Sequence, residues 1–376
     1  GDNKADWGHL KASTPMLLSL SIAGIQFSGA DVGGFFGDAG SELLTRWYQT
    51  AIYQPFFREH GHLDTRRKEP FLQVGSYRTA IGDALRIRYR MLPYWYTLFE
   101  QAYRTGVPPM RPLFMQFPNE SGLADNEQQF MLGDAILVVP VVEEGIEKVQ
   151  VELPYDRPGA VWYSRQTGSA LQPGQKFEQV VRGKNKFLPA PTFLRGGSII
   201  AERWRPRRSV DAMVNDPYTI IVALNRNSLA RGNLYVDDGI SLPLDNNGNV
   251  LKPHWSEHDR LYSPLPNGFR QTMKFKKDDN RGLFTSTAAG SDDTVTNEHR
   301  SKDKSGALAA AIERIIIHGL DVKRVEKATL HHLGKSTEIE FGEERFSKFV
   351  QKKVFALRRL NVPAIDDFSI ELTWSK

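Results

Sequence analysis

The sequence contains no cysteine. A disulfide, a thiolate nucleophile and a cysteine-based zinc site are therefore excluded, and the redox state of its compartment is left open. Also missing is any apolar run near the ~18 residues that a membrane-spanning helix needs. The most apolar stretch, AILVVPVV from Ala135, has the length of a buried strand. Charge of one sign is not blocked together either: 49 Lys and Arg face 44 Asp and Glu, scattered among one another, for a net +5. The densest basic runs, Arg203 to Arg208 and Lys352 to Arg359, carry no nucleic-acid motif, so no nucleic-acid partner is expected.

What is present supports a large folded body. At 376 residues, 40% hydrophobic and 11% aromatic, the chain can bury a sizeable core and divide into two or three domains. It opens on Gly1-Asp2-Asn3 without a methionine, so any targeting peptide is expected upstream of residue 1. Two polar landmarks follow Asp2 at even spacing: Asp31 in GADVGGFFG and His60 in PFFREH, each 29 residues from the last. About 30 residues is the repeat of one strand, one helix and two loops in a (β/α)₈ barrel, where functional groups project from strand ends onto one face. Asp2, Asp31 and His60 are accordingly expected to converge.

Taken in order, residues 4–23 read as a helix, with Pro15 marking an interruption or restart. IQFSGAD (Ile25 to Asp31) reads as a strand ending on a carboxylate, and Gly33-Gly34 as a tight turn or a close approach to ligand. Ser41 is expected to cap a second helix with an apolar stripe through Leu43, Leu44, Trp47, Tyr48, Ala51 and Ile52. PFFREH reads as the next strand, and Ser76 to Arg104 as one long helix. From Pro108 the period changes to short β-rich runs separated by Gly, Pro and Asp turns. Asp237 and Asp238 are expected to form a turn before Gly239, Ser291–Gly306 a polar mobile loop, and IIIHGL a strand. The expected fold is thus α/β plus all-β. Residues 1–107 form the C-terminal part of a (β/α)₈ barrel, 108–200 a proximal β-sandwich and 201–376 a distal one.

Two carboxylates and a histidine at a barrel mouth suit glycoside hydrolysis, which needs a carboxylic acid for the leaving oxygen and a carboxylate on the sugar's opposite face. A metal-dependent hydrolase is the alternative. It is disfavoured because His60 and His62 of REHGH would alternate faces on a strand, leaving one ligand in the site. No metal or cofactor is expected. Each landmark also has a plainer reading: Asp2 as a helix cap, Asp31 as a loop brace between Gly29 and Gly33, His60 as a buried core histidine. Trp7 and Trp47 read as helix packing rather than sugar platforms. Asn119-Glu120-Ser121 is a glycosylation sequon in a surface loop.

GDNKADW, STPMLLSLSIAGIQFSGADVGGFFG, YQPFFREHGHLDTRRKEP, FMLGDAILVVPV and LYVDDG together resemble glycoside hydrolase family 31. The resemblance implies that Asp2 is the general acid/base, that Asp31 and His60 bind hydroxyls of the sugar at the cleavage subsite, and that Phe35 lines it. Within the family the motifs are most similar to the branch that trims α-1,3-linked glucose from N-glycans of new glycoproteins. That branch implies an endoplasmic-reticulum lumenal location and a non-catalytic β subunit as partner. The family's nucleophile, an Asp in W-x-D-M-N-E, does not occur in this chain. Neither do the Trp that precedes GDN nor the upstream Arg of the subsite. An N-terminal fragment of the same protein is therefore expected to supply the nucleophile and most of the barrel. Relatives with the same motifs include α-xylosidases, maltases and α-glucan lyases, and a catalytically inactive glycan-binding homologue is the non-enzyme alternative.

Overall fold

A computed structural model describes residues 2–156, 159–239, 268–288, 309–345 and 353–374. Four helices dominate the first third: α1 (Trp7–Ile22), α2 (Ser41–Ala51), α3 (Gly75–Arg90) and α4 (Leu92–Thr105). Asp6 caps α1, its carboxylate accepting from the His9 amide at 2.7 Å. Pro15 lies inside α1 and does not interrupt it. One lost amide donor is outweighed by the burial of Leu10, Leu17 and Leu18, each side chain contributing about 2 kcal/mol. The N-cap of α2 is Gly40, not Ser41, and no side chain caps it; Glu42 in the first turn faces the positive end of the helix instead. The apolar stripe of α2 is buried as expected, with Trp47 and Leu44 fully enclosed. The long helix expected over Ser76 to Arg104 is two helices meeting at Met91, because Pro93 has no amide to continue the ladder.

The strands expected over Ile25 to Asp31 and over PFFREH are absent: no strand precedes Met110 among the described residues. The two segments nonetheless run side by side in the same direction. The Phe56 amide donates to the Ser28 carbonyl at 3.1 Å and the Val32 amide to that of Arg58 at 3.0 Å. Both bonds fit a single parallel register, but they are two isolated contacts and no strand is formed over either segment. Buried Arg88 fixes the entry to the second segment by donating to the carbonyls of Ile52, Gln54 and Pro55 at 2.8–3.0 Å. Burial pushes its guanidinium down to about 9.

Beyond α4 the chain is β-rich. A six-stranded sheet runs, in spatial order, Met110–Pro112, Phe130–Leu132, Ile136–Val138, Thr192–Arg195, Trp162–Ser164 and Ala170–Leu171. A two-stranded sheet of Lys148–Glu152 and Lys176–Val180 accompanies it. Val151 and Phe177 from that pair share a core with Leu137, Trp162 and Phe193, so two layers face each other. Arg182–Gly183 and Lys186–Phe187 pair as a second short two-stranded sheet, and the described strands from Ser198–Glu202 onward form one 11-stranded sheet. Val325–His332 and Lys353–Pro363, near opposite ends of its order, come into contact, so the sheet folds back over one core. Ala311–His318 is a strand, as the IIIHGL run predicts. The polar run Ser291–Gly306 lies outside the described residues.

The units are joined by polar contacts. Glu202, fully buried, accepts from Arg90 of α3 at 3.0 Å, from the Trp204 indole at 2.7 Å and from Arg165 of the six-stranded sheet's edge turn. On α4, Tyr96 donates to Asp237 at 2.7 Å and Thr97 accepts the Tyr235 amide at 3.1 Å. Asp237 also receives the Gly239 amide at 2.9 Å, closing the expected turn.

Candidate active site

The site is built on three segments that meet around Asn3. The Asn3 side-chain amide donates to the Asp31 carbonyl and accepts from the Asp31 amide, both at 2.9 Å. Its own carbonyl accepts from the amides of Phe35 at 2.6 Å and Phe36 at 3.1 Å, and Lys4 bridges to Phe36 in parallel. Gly34 makes this approach possible. It sits at φ +88°, and a Cβ there would lie 2.5 Å from the Ala5 Cα. The sequence thus folds the Gly-rich turn against the GDN segment, with only glycine able to fit between.

Asp31 is buried, and the half-exposed Arg58 holds its Oδ1 with Nη2 at 2.9 Å and Nε at 3.2 Å. The pair engages Oδ1 and leaves Oδ2 outside it, a geometry that suits a carboxylate that also accepts from a hydroxyl. Phe35 presents an aromatic face flanked by histidines: its ring centroid lies 5.3 Å from His60 and 5.9 Å from His62. His60 is exposed, not the buried core histidine of the plainer reading. The two histidines were expected to alternate faces; both instead flank Phe35, because residues 57–62 have no strand pairing to impose the pleat. The Phe35 carbonyl also accepts the His62 amide at 2.8 Å.

Asp2 is exposed and precedes the Asn3 clamp by one residue, which places its main chain at the edge of this group. It is not the cap of α1, since Asp6 fills that role. Asn119 lies elsewhere, on an exposed turn in the proximal β-rich unit. Trp7 and Trp47 pack against the helical core, Trp47 with no exposure.

Behind the site, Glu59 accepts from the Tyr48 hydroxyl at 2.6 Å. Burial pushes its carboxyl up, the Tyr48 hydrogen bond and Lys68 oppose that, and Glu69 adds to it. Burial likewise pushes the Lys68 ammonium down, against the pull of Glu59, Asp31 and Asp38. Sequence reasoning singled out Asp31, Phe35 and His60 but missed Asn3, Arg58 and Lys68. For Arg58 a signal existed: two residues before His60, it falls on the same side of any extended segment.

A cavity of about 600 Å³, lined by residues including Tyr77, Glu147, Arg182 and Phe187, lies away from these residues. It is open and shares no residue with the convergence around Asn3, so side-chain chemistry rather than volume locates the site.

Comparison with known proteins extends the likeness well past these motifs. A family model described as the glycosyl hydrolases family 31 TIM-barrel domain matches residues 1–98. The family 31 C-terminal domain matches residues 106–200. The chain is 37% identical over 373 residues to a probable glucan 1,3-alpha-glucosidase of Oryza sativa subsp. japonica, covering 99% of this chain and 36% of that protein. It is 48% identical over 244 residues to neutral alpha-glucosidase AB of Mus musculus, covering 64% of this chain and 25% of that protein. A crystal structure of the glucosidase II alpha subunit, in a DNJ-bound form, matches with a TM-score of 0.81 at 33% identity, over 100% of this chain and 37% of that one. The chain therefore spans about a quarter to a third of the length of its curated relatives. Two adjacent family models, and a likeness that continues across the described sheets, mean that this chain belongs to glycoside hydrolase family 31.

Proposed function

We propose that this chain carries the acid/base part of a retaining exo-α-glucosidase that removes α-1,3-linked glucose from N-glycans, as the C-terminal portion of a glucosidase II-like catalytic subunit. The observation that carries this reading is the Asn3 clamp. Its bonds to Asp31 and Phe35 bring the segment of Asp2 against a buried carboxylate and an aromatic face edged by His60. The names of similar proteins support the substrate class: related structures of the glucosidase II alpha subunit are described as Glc1Man2-bound and alpha3-Glc2-bound.

In this reading Asp2 donates a proton to the leaving oxygen while a carboxylate from the rest of the polypeptide attacks the anomeric carbon. Asp2, now ionised, takes a proton from the water that releases glucose. A retaining pair of this kind stands about 5–5.5 Å apart. Asp31 and His60 hold hydroxyls of the terminal glucose and Phe35 packs on its apolar face. The nucleophile and most of the barrel come from the N-terminal portion of the same protein. A non-catalytic β subunit and an endoplasmic-reticulum lumenal site of action belong to the same proposal. Another solved structure is described as an ER glucosidase II heterodimer of a catalytic subunit with the binding domain of a regulatory subunit.

The test is Asp2→Asn in the complete protein. Turnover of a glucosylated high-mannose glycan is expected to fall roughly 100- to 10,000-fold, the usual share of a general acid/base. Retention of most activity would show that Asp2 is not the acid/base. Assaying the unaltered enzyme against maltose and an α-xyloside in parallel separates the glucosidase from its family relatives.

A further inference from the structure

The loops that carry Phe35 and His60 share one cation. Lys68 Nζ donates to the Gly34 carbonyl and, at 3.0 Å, to the His60 carbonyl. One acceptor comes from each loop, and they are 26 positions apart in the chain. An ammonium offers three donors, and two are fixed here across the gap between the loops. The stem passes close to Gly33, where a Cβ would lie 3.4 Å from the Lys68 Cδ. Surrounding carboxylates supply the countercharge, with Glu59, Asp31 and Asp38 all acting on this ammonium. The cation therefore sits where the two halves of the sugar-facing surface join, and it touches the main chain of both.

We infer that Lys68 is a positioning residue for the glycosidase site: by bridging the Gly34 and His60 carbonyls it sets the spacing between the Phe35 ring and the His60 imidazole. The inference rests on the function proposed above. Lys68 itself contacts no reacting atom. Its effect passes through the 5.3 Å packing of Phe35 and His60, and a shift of about 1 Å in such a constellation can cost on the order of 100-fold in rate. A lysine that served stability alone would change the amount of folded enzyme and leave the rate per folded molecule untouched.

The experiment uses the complete enzyme with Lys68→Met, which keeps the stem and removes the donors, and Lys68→Arg, which keeps charge and donors. For Lys68→Met, kcat per folded molecule is expected to fall roughly 30- to 100-fold with KM rising no more than about tenfold, because the contacts tighten further in the transition state. Lys68→Arg is expected to return kcat to within about threefold of the unaltered enzyme. The Kd of free glucose, measured by calorimetry, is expected to weaken about tenfold in Lys68→Met. If Lys68→Met does not fold, Lys68→Gln takes its place under the same criteria. The inference is overturned if kcat and glucose Kd of the donor-less variant both match the unaltered enzyme, or if Lys68→Arg fails to recover what Lys68→Met loses. An unaltered enzyme that binds glucose but turns over no α-glucoside strikes at the proposed function instead, and the glucose Kd then decides on Lys68. If it does neither, both fall.

Discussion

Asn3 uses both ends of one side-chain amide on the main chain of a single residue, Asp31. No other side chain with the same reach can donate and accept in that way. Asn3→Ala removes two hydrogen bonds worth about 1 kcal/mol each, and it also frees Asp31 to shift against Arg58. The expected outcome in the complete enzyme is a kcat/KM lowered roughly tenfold together with a melting temperature lower by a few degrees. Asn3→Asp should do worse on both counts, since a carboxylate would face the Asp31 carbonyl where an amide had donated. Unchanged kinetics in Asn3→Ala would show that the clamp does not position the site. At this scale the sequence was partly readable. Equal spacing picked out Asp31 and His60 because each ends a repeat of the same length. Asn3 was passed over because its partner is 28 residues away, and nothing local marks an asparagine that will bond a main chain so distant. Lys68 lay in a charged loop that reads as solvent-facing, and only folding shows which lysine of such a run turns inward.

Among the elements, local rules were reliable where one residue decides alone and unreliable where neighbours decide. Pro93 divides α3 from α4 for reasons contained in its own ring, whereas Pro15 is carried through α1 by the packing of residues around it. The segments expected as strands have the right composition and lie side by side, but only isolated main-chain bonds join them, and such pairing is a property of both segments together. The Gly33-Gly34 turn is the element on which the site depends most. Gly34→Ala would place a methyl group against the Ala5 main chain in a conformation that disfavours any side chain. It is expected to destabilise the protein by about 2 kcal/mol or more, read as a lower melting temperature with parallel loss of activity. A melting temperature within about a degree of the unaltered protein would contradict the close approach.

For the molecule as a whole, one buried carboxylate connects the helical unit to the six- and 11-stranded sheets. Burial acts to raise the Glu202 carboxyl, but Arg90, Arg165 and the Trp204 indole outweigh it and hold it below the usual range. A folded-state value below the unfolded one means that stabilisation is complete above about pH 4.3, the ordinary glutamate value. It is lost as pH falls through the lower folded value. Glu202→Gln leaves two guanidiniums facing a neutral amide and is expected to cost about 3 kcal/mol at neutral pH. The deficit should narrow as the pH is taken down from 5 toward 3, because the unaltered protein then loses the same charge. Denaturant melts across that range provide the check, and a deficit independent of pH would mean the charge is not what joins the units. This junction was invisible in the sequence: Glu202 sits beside the basic run Arg203 to Arg208, which looks like a solvated patch until Arg203, Arg205 and Arg207 are seen paired with Tyr218, Glu313 and Asp216.

The clamp between Asn3 and Asp31 also has a consequence in time. It closes a loop of 28 residues, and bringing the ends of such a loop together costs about 3 kcal/mol in chain entropy if the intervening segment is flexible. Sixteen of those residues are α1, and once its buried face packs, the helix shortens the free chain whose ends must meet. The expected order is α1 packed first, the turn at Gly33-Gly34 next, and the segment of Asp2 and Asn3 last. In that order the scaffold precedes the candidate site, and whatever slows the packing of α1 is expected to delay the site without altering any residue in it.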